Sequence, residues 1–193
     1  MARPRQHIAC GDFVLRRWRG QADFAPAFRL IEESLDHLRP WEPWAAGHSE
    51  ESTRSFLAKT GAQWASGDVY NYAIAKNGTL IGMCQTYRGP EPQGRRMGYW
   101  LHPDATGQGI ATRATTALVT EMFALPDVAY VESRTTWPTR PAPPYRAVWA
   151  SPRSGGNGRR RRWLPRQRHP RGLAVEPPRV RVRRLIHRRS GPR

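Results

Sequence analysis

Charge breaks abruptly at residue 134, and the break limits which residues can build a core. Residues 1–133 carry 14 Lys and Arg against 14 Asp and Glu. Residues 134–193 carry 18 Arg, no Lys and one acid, Glu176, and so account for the whole formal net charge of +17. The same last 60 residues hold 10 of the 18 prolines. Such a segment cannot bury enough apolar surface to offset the entropy of ordering it. The expected organisation is one folded domain over 8–133 and an Arg/Pro-rich, disordered tail over 134–193.

Several classes drop out. No apolar run approaches the roughly 18 residues of a membrane span, and the N-terminus lacks the apolar stretch of a secretory signal. Two cysteines, Cys10 and Cys84, make neither a disulfide framework nor a metal cluster. No metal and no membrane partner are expected, and the expected setting is reducing and cytoplasmic.

Along the front section the hydrophobic period changes twice. Phe13–Trp18 reads as a strand. Phe24, Phe28, Ile31, Leu35 and Leu38 recur at helical spacing over 22–38, opened by Asp23 or Gln21 and stopped at Pro40. A second helix is expected over 49–66, with Ser49 and Ser52 as caps and Glu50 and Glu51 at its positive end. Tyr70, Tyr72 and Ile74 then alternate with Asn71, Ala73 and Ala75. Asn77-Gly78 supplies a hairpin turn into a strand over Thr79–Tyr87. Arg96–His102 reads as a further strand, 110–124 as a helix, and Val128–Val131 opens another strand. This order predicts an α/β domain with one mixed sheet and helices on both faces.

The informative stretch is Gly98-Tyr99-Trp100-Leu101-His102-Pro103-Asp104, then Thr106-Gly107-Gln108-Gly109-Ile110-Ala111-Thr112-Arg113-Ala114. It is a strand, a glycine turn and a helix N-terminus. Glycines let backbone approach a ligand, and the first amides of a helix point outward without internal partners. Together they suit a phosphate. No Lys-Ser/Thr follows the glycines and no G-x-G-x-x-G is present, which excludes nucleotide-triphosphate and dinucleotide loops. Spacing alone leaves two readings open: a phosphate site, or a helix start with two glycines for turning.

These residues resemble the acetyl-CoA segment of the GNAT acetyltransferases, in the branch that includes the ribosomal-protein N-terminal acetyltransferases. The likeness extends upstream through Ile31–Trp41 and Pro43-Trp44 and ends near Glu132. It implies a GNAT-like sheet, incomplete at its C-terminal side, and acetyl transfer from acetyl-CoA to a protein N-terminus or a small amine. It also implies roles for Trp100, Leu101, His102, Gly107, Gln108, Gly109, Ile110, Ala111 and Thr112 in holding coenzyme A. Amides from about Gly107 to Thr112 would take the pyrophosphate, and the strand Tyr99–His102 the pantetheine arm. An amide near Trp100 or Leu101 would steady the oxyanion. Trp41 and Trp44 would line the acceptor side.

Two departures matter. Thr106 stands where the family's turn often begins with Gln or Arg, which leaves backbone contacts intact. Arg96 stands where many members carry a Glu as candidate base, and a guanidinium cannot accept a proton. Glu50, Glu51 or His102 acting through water would have to substitute, or the amine would have to arrive neutral. The catalytic residues are left unassigned.

The tail has its own readings. Arg159–Arg162 followed by Trp163 would bind nucleic acid non-specifically and salt-dependently. A chain of this family also lacks, after 133, the expected A-N-x-x-S-x-x-V-x-x-R-L-G-F segment. Shifting the reading frame by one base across 137–151 admits A-N-P-A-S-A-A-V-P-R-R-L-G-F-T through permitted codons. Residues 134–193 are therefore expected to be out of frame, which the coding DNA across codons 125–160 decides. On that expectation the tail leaves the sheet incomplete and the chain weakly stable, with poor turnover. A damaged domain that only binds coenzyme A is the alternative to a working transferase, and a nucleic-acid binder is the second alternative.

Overall fold

The computed structural model describes residues 2–135 and 145–151, with 134–135 and 145–150 described by their backbone. They lie within one compact unit spanning 1–156. Seven strands form one sheet in chain order: β1 His7–Ala9, β2 Val14–Arg17, β3 Val69–Lys76, β4 Thr79–Arg88, β5 Gly94–Leu101, β6 Tyr130–Thr135 and β7 Tyr145–Ala150. Every neighbouring pair is antiparallel except β5–β6, which is parallel. A parallel pair needs a crossover, and α3 Ile110–Ala124 supplies it.

Helices cover both faces, as the element order predicts. One core cluster joins α3, through Ile110, Ala114, Leu118 and Met122, to Leu15, Tyr72, Ile74, Cys84, Met97 and Val131 of the sheet. The other joins α1 Phe24–Leu38 and α2 Glu50–Ser66 to the opposite face, through Leu30, Leu38 and Leu57 packed with Ala73, Leu80 and Trp100. Strand β3 is buried on both faces, so its alternation separates two cores rather than core from water. Asn71, 2% exposed, donates to Gln63 Oε1 at 3.1 Å.

Local rules explain the boundaries. α2 begins with a reciprocal capping box between Ser49 and Ser52 and ends at Gly67. The β3–β4 turn places Asn77 and Gly78 at φ 50° and 81°. α1 departs from the expected stripe. Its buried residues are Ala27, Leu30, Ser34 and Leu38, while Phe24, Ile31 and Leu35 flank them half-buried. Buried Ser34 is tolerated because its hydroxyl donates to Leu30 O at 2.7 Å.

Asp23 does not cap α1 with its side chain. Its fully buried carboxylate instead takes both Arg16 guanidinium nitrogens at 2.7 and 2.9 Å, and the Arg19 amide and side chain at 2.8–3.0 Å. Burial works against its ionisation, but these bonds outweigh burial and hold its pKa at about 2. This cluster fastens α1 to β2.

Two strand expectations are corrected. β1 was not foreseen; it is three residues long, and only Ile8 is buried. The expectation that 134–193 adds nothing to the sheet fails for 145–150, since β7 runs antiparallel to β6 with Tyr130 opposite Ala150. Those six residues contain no proline and sit between Pro144 and Pro152, a local exception to the tail's composition. The basic cluster Arg159–Arg162 lies outside the described residues, as do 136–144 and the rest of the tail.

Candidate active site

Strands β5 and β6 part company. Gly94 to Met97 pair with Tyr130 to Ser133, and there the pairing stops, although β5 runs on to Leu101 and β6 to Thr135. β4 stays with β5 throughout, from Arg88 opposite Arg95 to Gly82 opposite Leu101. His102 N–H donates to Ile81 O at 2.9 Å in the same register. Because antiparallel pairs alternate in their hydrogen bonding, Trp100 and Gly98 also bond toward β4. Tyr99 and Leu101 therefore turn their N–H and C=O to the side that β6 has left. Among the described residues the result is a slot edged by backbone groups without partners, where an extended, amide-bearing ligand can continue the sheet.

At the end of β5 the chain folds into a 3-10 turn, Pro103–Ala105, and then into α3. His102 caps the turn: its Nδ1 accepts from Asp104 N–H at 3.2 Å, and its Nε2 lies 3.7 Å from Glu33 Oε2. Gln108 Nε2 donates to Asp104 O at 2.7 Å, and Thr106 Oγ1 to Pro103 O at 2.7 Å. Gly107 and Gly109 sit at φ 71° and 69°, conformations that disfavour a side chain even though a Cβ at either would meet open space. The first backbone bond of α3 is Arg113 N–H to Gly109 O, 3.1 Å. The amides of Gly107 to Thr112 thus find no acceptor among the described residues, and this is the donor set of an anion site at a helix N-terminus.

The first turn of α3 is anchored. Arg113 donates to Cys10 O at 3.1 Å and to Asp12 Oδ1 at 2.6 Å, with its guanidinium over the Phe13 ring at 4.7 Å. Lys76 reaches the other Asp12 oxygen at 2.9 Å. Hydrogen bonds from Lys76 and Arg113 hold the Asp12 carboxyl well below the usual carboxylate range.

The opposite face of β5 meets α1 and α2. Trp100 is 9% exposed, and the Trp44 ring lies 6.1 Å from it. Trp41 and Trp44 are 40% and 42% exposed, and the Trp44 indole donates to Glu42 Oε2 at 2.8 Å. Arg96 occupies this face with its Nε buried. Glu132 stands beside it in register on β6 and is buried.

The expected residues thus divide. Gly107 to Thr112 are brought to one turn, and Leu101 faces the slot. Trp100 and His102 direct their amides to β4, so of the two amides considered for the oxyanion only that of Leu101 faces the slot. Within the strand Tyr99–His102 expected to take the pantetheine arm, strand alternation fixed by one hydrogen bond separates Tyr99 and Leu101, on the slot edge, from Trp100 and His102. Glu50 and Glu51 are exposed on the first turn of α2, and Glu50 pairs with Arg54 at 3.5 Å. His102 has its Nδ1 committed to the turn. Glu132 was not among the acids considered, because only the β5–β6 register brings it beside Arg96.

Comparison with known proteins identifies the family and the fold. Residues 12–138 match the acetyltransferase (GNAT) domain. No curated protein sequence matches the chain. Among solved structures, the chain is similar to RimL, a ribosomal L7/L12 alpha-N-protein acetyltransferase in complex with coenzyme A. There 66% of this chain covers 73% of that one at 21% identity, with a TM-score of 0.61. The microcin C7 self-immunity acetyltransferase MccE, in complex with acetyl-CoA and AMP, gives 16% identity over 67% of this chain and 73% of that one, TM-score 0.62. RimJ of Mycobacterium smegmatis, in complex with a CoA-disulfide, gives 25% identity over 68% and 66%, TM-score 0.58.

Proposed function

Because the chain belongs to the GNAT acetyltransferase family, we propose that it moves an acetyl group from acetyl-CoA to a primary amine, either a protein N-terminus or a small molecule. The family makes it an acyltransferase. The observation that carries the fuller reading is the parting of β5 from β6 after Met97. It leaves Tyr99 and Leu101 with unused backbone groups directly upstream of the orphaned amides of Gly107 to Thr112.

Both donor sets fit coenzyme A. The turn amides would hold its pyrophosphate. The edge groups of Tyr99 and Leu101 would pair with the amides of its pantetheine arm, as a strand adds to a sheet edge. When bound, the thioester supplies the acetyl group. Leu101 N–H would donate to the carbonyl oxygen as negative charge develops on it. The acceptor amine would approach from the α1–α2 face, past Trp44 and Trp100. With Arg96 where a proton acceptor would stand, the amine has to arrive neutral.

Titration of the full chain with acetyl-CoA by calorimetry tests the binding half. The expected result is one site, with heat that is lost in Gly109→Val. Thiol release with a panel of peptides and small amines tests transfer. No heat with acetyl-CoA overturns the reading. Arg96 favours one other reading, a domain that binds coenzyme A without turnover. Binding heat with no thiol release from any acceptor would select that alternative.

A further inference from the structure

We propose that the groove between β2 and α2 is a second ligand site, and that it takes a small organic oxyanion: a carboxylate or phosphate on an apolar body. The groove is separate from the coenzyme slot, since β3 and β4 stand between β2 and β5. The inference goes beyond the transferase reading and does not rest on it. The groove measures about 580 Å³. Trp18 and Leu57, both buried, form its floor, and Arg17, Arg19, Gln21 and Gly61 stand along it. Among the described residues no Asp or Glu lines it.

Arg17 carries the argument. It is half-buried, with its guanidinium over the Trp64 ring at 5.3 Å. Among the described residues it makes no ion pair and donates no side-chain hydrogen bond. Its Nη2 lies 3.8 Å from the point where a Cβ at Gly61 would stand. Gly61 lines the groove, so the guanidinium reaches the groove along that wall. Gly61 also sits inside α2, where glycine weakens a helix. No close backbone contact calls for a glycine there, and its missing side chain leaves the space beside Arg17 open. Arg19 adds to the field. Asp23 is fully buried and serves both Arg16 and Arg19, so that cluster keeps one positive charge in excess. A guanidinium can only donate, and its fork matches the oxygen pair of a carboxylate or phosphate. Stacking on Trp64 holds Arg17 in place before a ligand arrives, so less freedom is lost on binding. A bare inorganic ion would leave the floor of Trp18 and Leu57 uncovered, whereas a flat apolar body beneath the anion covers it.

Calorimetry and amide NMR on the full chain, with and without saturating coenzyme A, test this. The probes are benzoate, its neutral isostere benzamide, and phenyl phosphate. Benzoate should bind roughly tenfold tighter than benzamide, the size of one charge-assisted hydrogen bond. Its binding should shift the Arg17 Nε–H and Gly61 amide signals and persist when coenzyme A is present. Benzoate binding tighter than phenyl phosphate identifies a carboxylic acid as the ligand class, and the reverse order a phosphate ester. Arg17→Gln should erase the preference for benzoate over benzamide. Gly61→Leu should fill the groove and block both, with the chain still folded by circular dichroism. Acetyl-CoA affinity should stay unchanged in both variants. Equal affinity for benzoate and benzamide, a preference undiminished in Arg17→Gln, or displacement of benzoate by coenzyme A overturns the inference. Failure of coenzyme A to bind counts against the transferase reading alone, because the groove is also read without it.

Discussion

The open edge of β5 and its face toward α1 and α2 are built from different materials. Along the edge, the slot and the turn that follows offer backbone: the groups of Tyr99 and Leu101 and the amides of Gly107 to Thr112. Toward α1 and α2, the surface offers side chains: Arg96, Gln85, Trp100 and Trp44. A backbone site depends on strand path and glycine conformation, and so tolerates many side-chain changes. A side-chain site depends on which residues the register brings together, and a single substitution can redirect it. The edge can therefore hold a common co-substrate while the face varies its acceptor.

The largest way to break this contrast acts on the acceptor face alone. Asp23→Ala strips the buried acceptor from Arg16 and Arg19 and loosens α1. Breaking a buried ion pair costs about 3–5 kcal/mol, so thermal unfolding should shift down by many degrees. Acid titration should show the same contact. A depressed carboxylate stabilises the fold above its unfolded pKa, about 4. Its contribution should therefore persist above about pH 4 and fade as pH drops through about 2.

Next in size, Gly109→Val forces a β-branched residue to positive φ, at a cost of about 1–2 kcal/mol, and disorders the donor set of the turn. Acetyl-CoA affinity should fall at least tenfold by calorimetry while the chain stays folded. Unchanged affinity would show that the turn does not hold the co-substrate.

A pH profile sharpens the contrast. With no proton acceptor at the Arg96 position, rate should follow the neutral fraction of the amine. It should rise about tenfold per pH unit up to the acceptor's own pKa, near 8 for an α-amine. A plateau already reached near pH 6 would reveal a base on the acceptor face.

The smallest effect belongs to Arg113→Ala, which releases α3 from Asp12 and the β1–β2 turn. These groups are about half exposed and screened by solvent, so the fall in thermal stability should be the smallest of the set. It should fade further at high salt.

Legibility in the sequence followed the same division. The glycine turn, the Asn77-Gly78 hairpin and the Ser49 capping box are local, and residues a few places apart reveal them. Arg96 was legible as a departure but not as the register partner of Glu132, which lies far away in the chain. Tyr99 could not be told from Trp100 until one hydrogen bond fixed the phase of the strand. The stripe on α1 slipped by one position because large apolar side chains outweigh Ala27 in a pattern search, although Ala27 is buried in the core and they are only half-buried. β7 was hidden by the composition of the tail around it, since an average over 60 residues conceals six.

The parting of β5 and β6 has a kinetic signature. Amides bonded within a sheet exchange with solvent only when the sheet opens, whereas those of Tyr99 and Leu101 face a place where a strand is missing. In the free protein these two should exchange with deuterium far faster than the Trp100 amide between them, giving a fast–slow–fast pattern along one strand. A bound pantetheine arm would slow the outer two and leave the middle one unchanged. Three adjacent amides would then report, without any assay of turnover, whether the empty lane in the sheet has been filled.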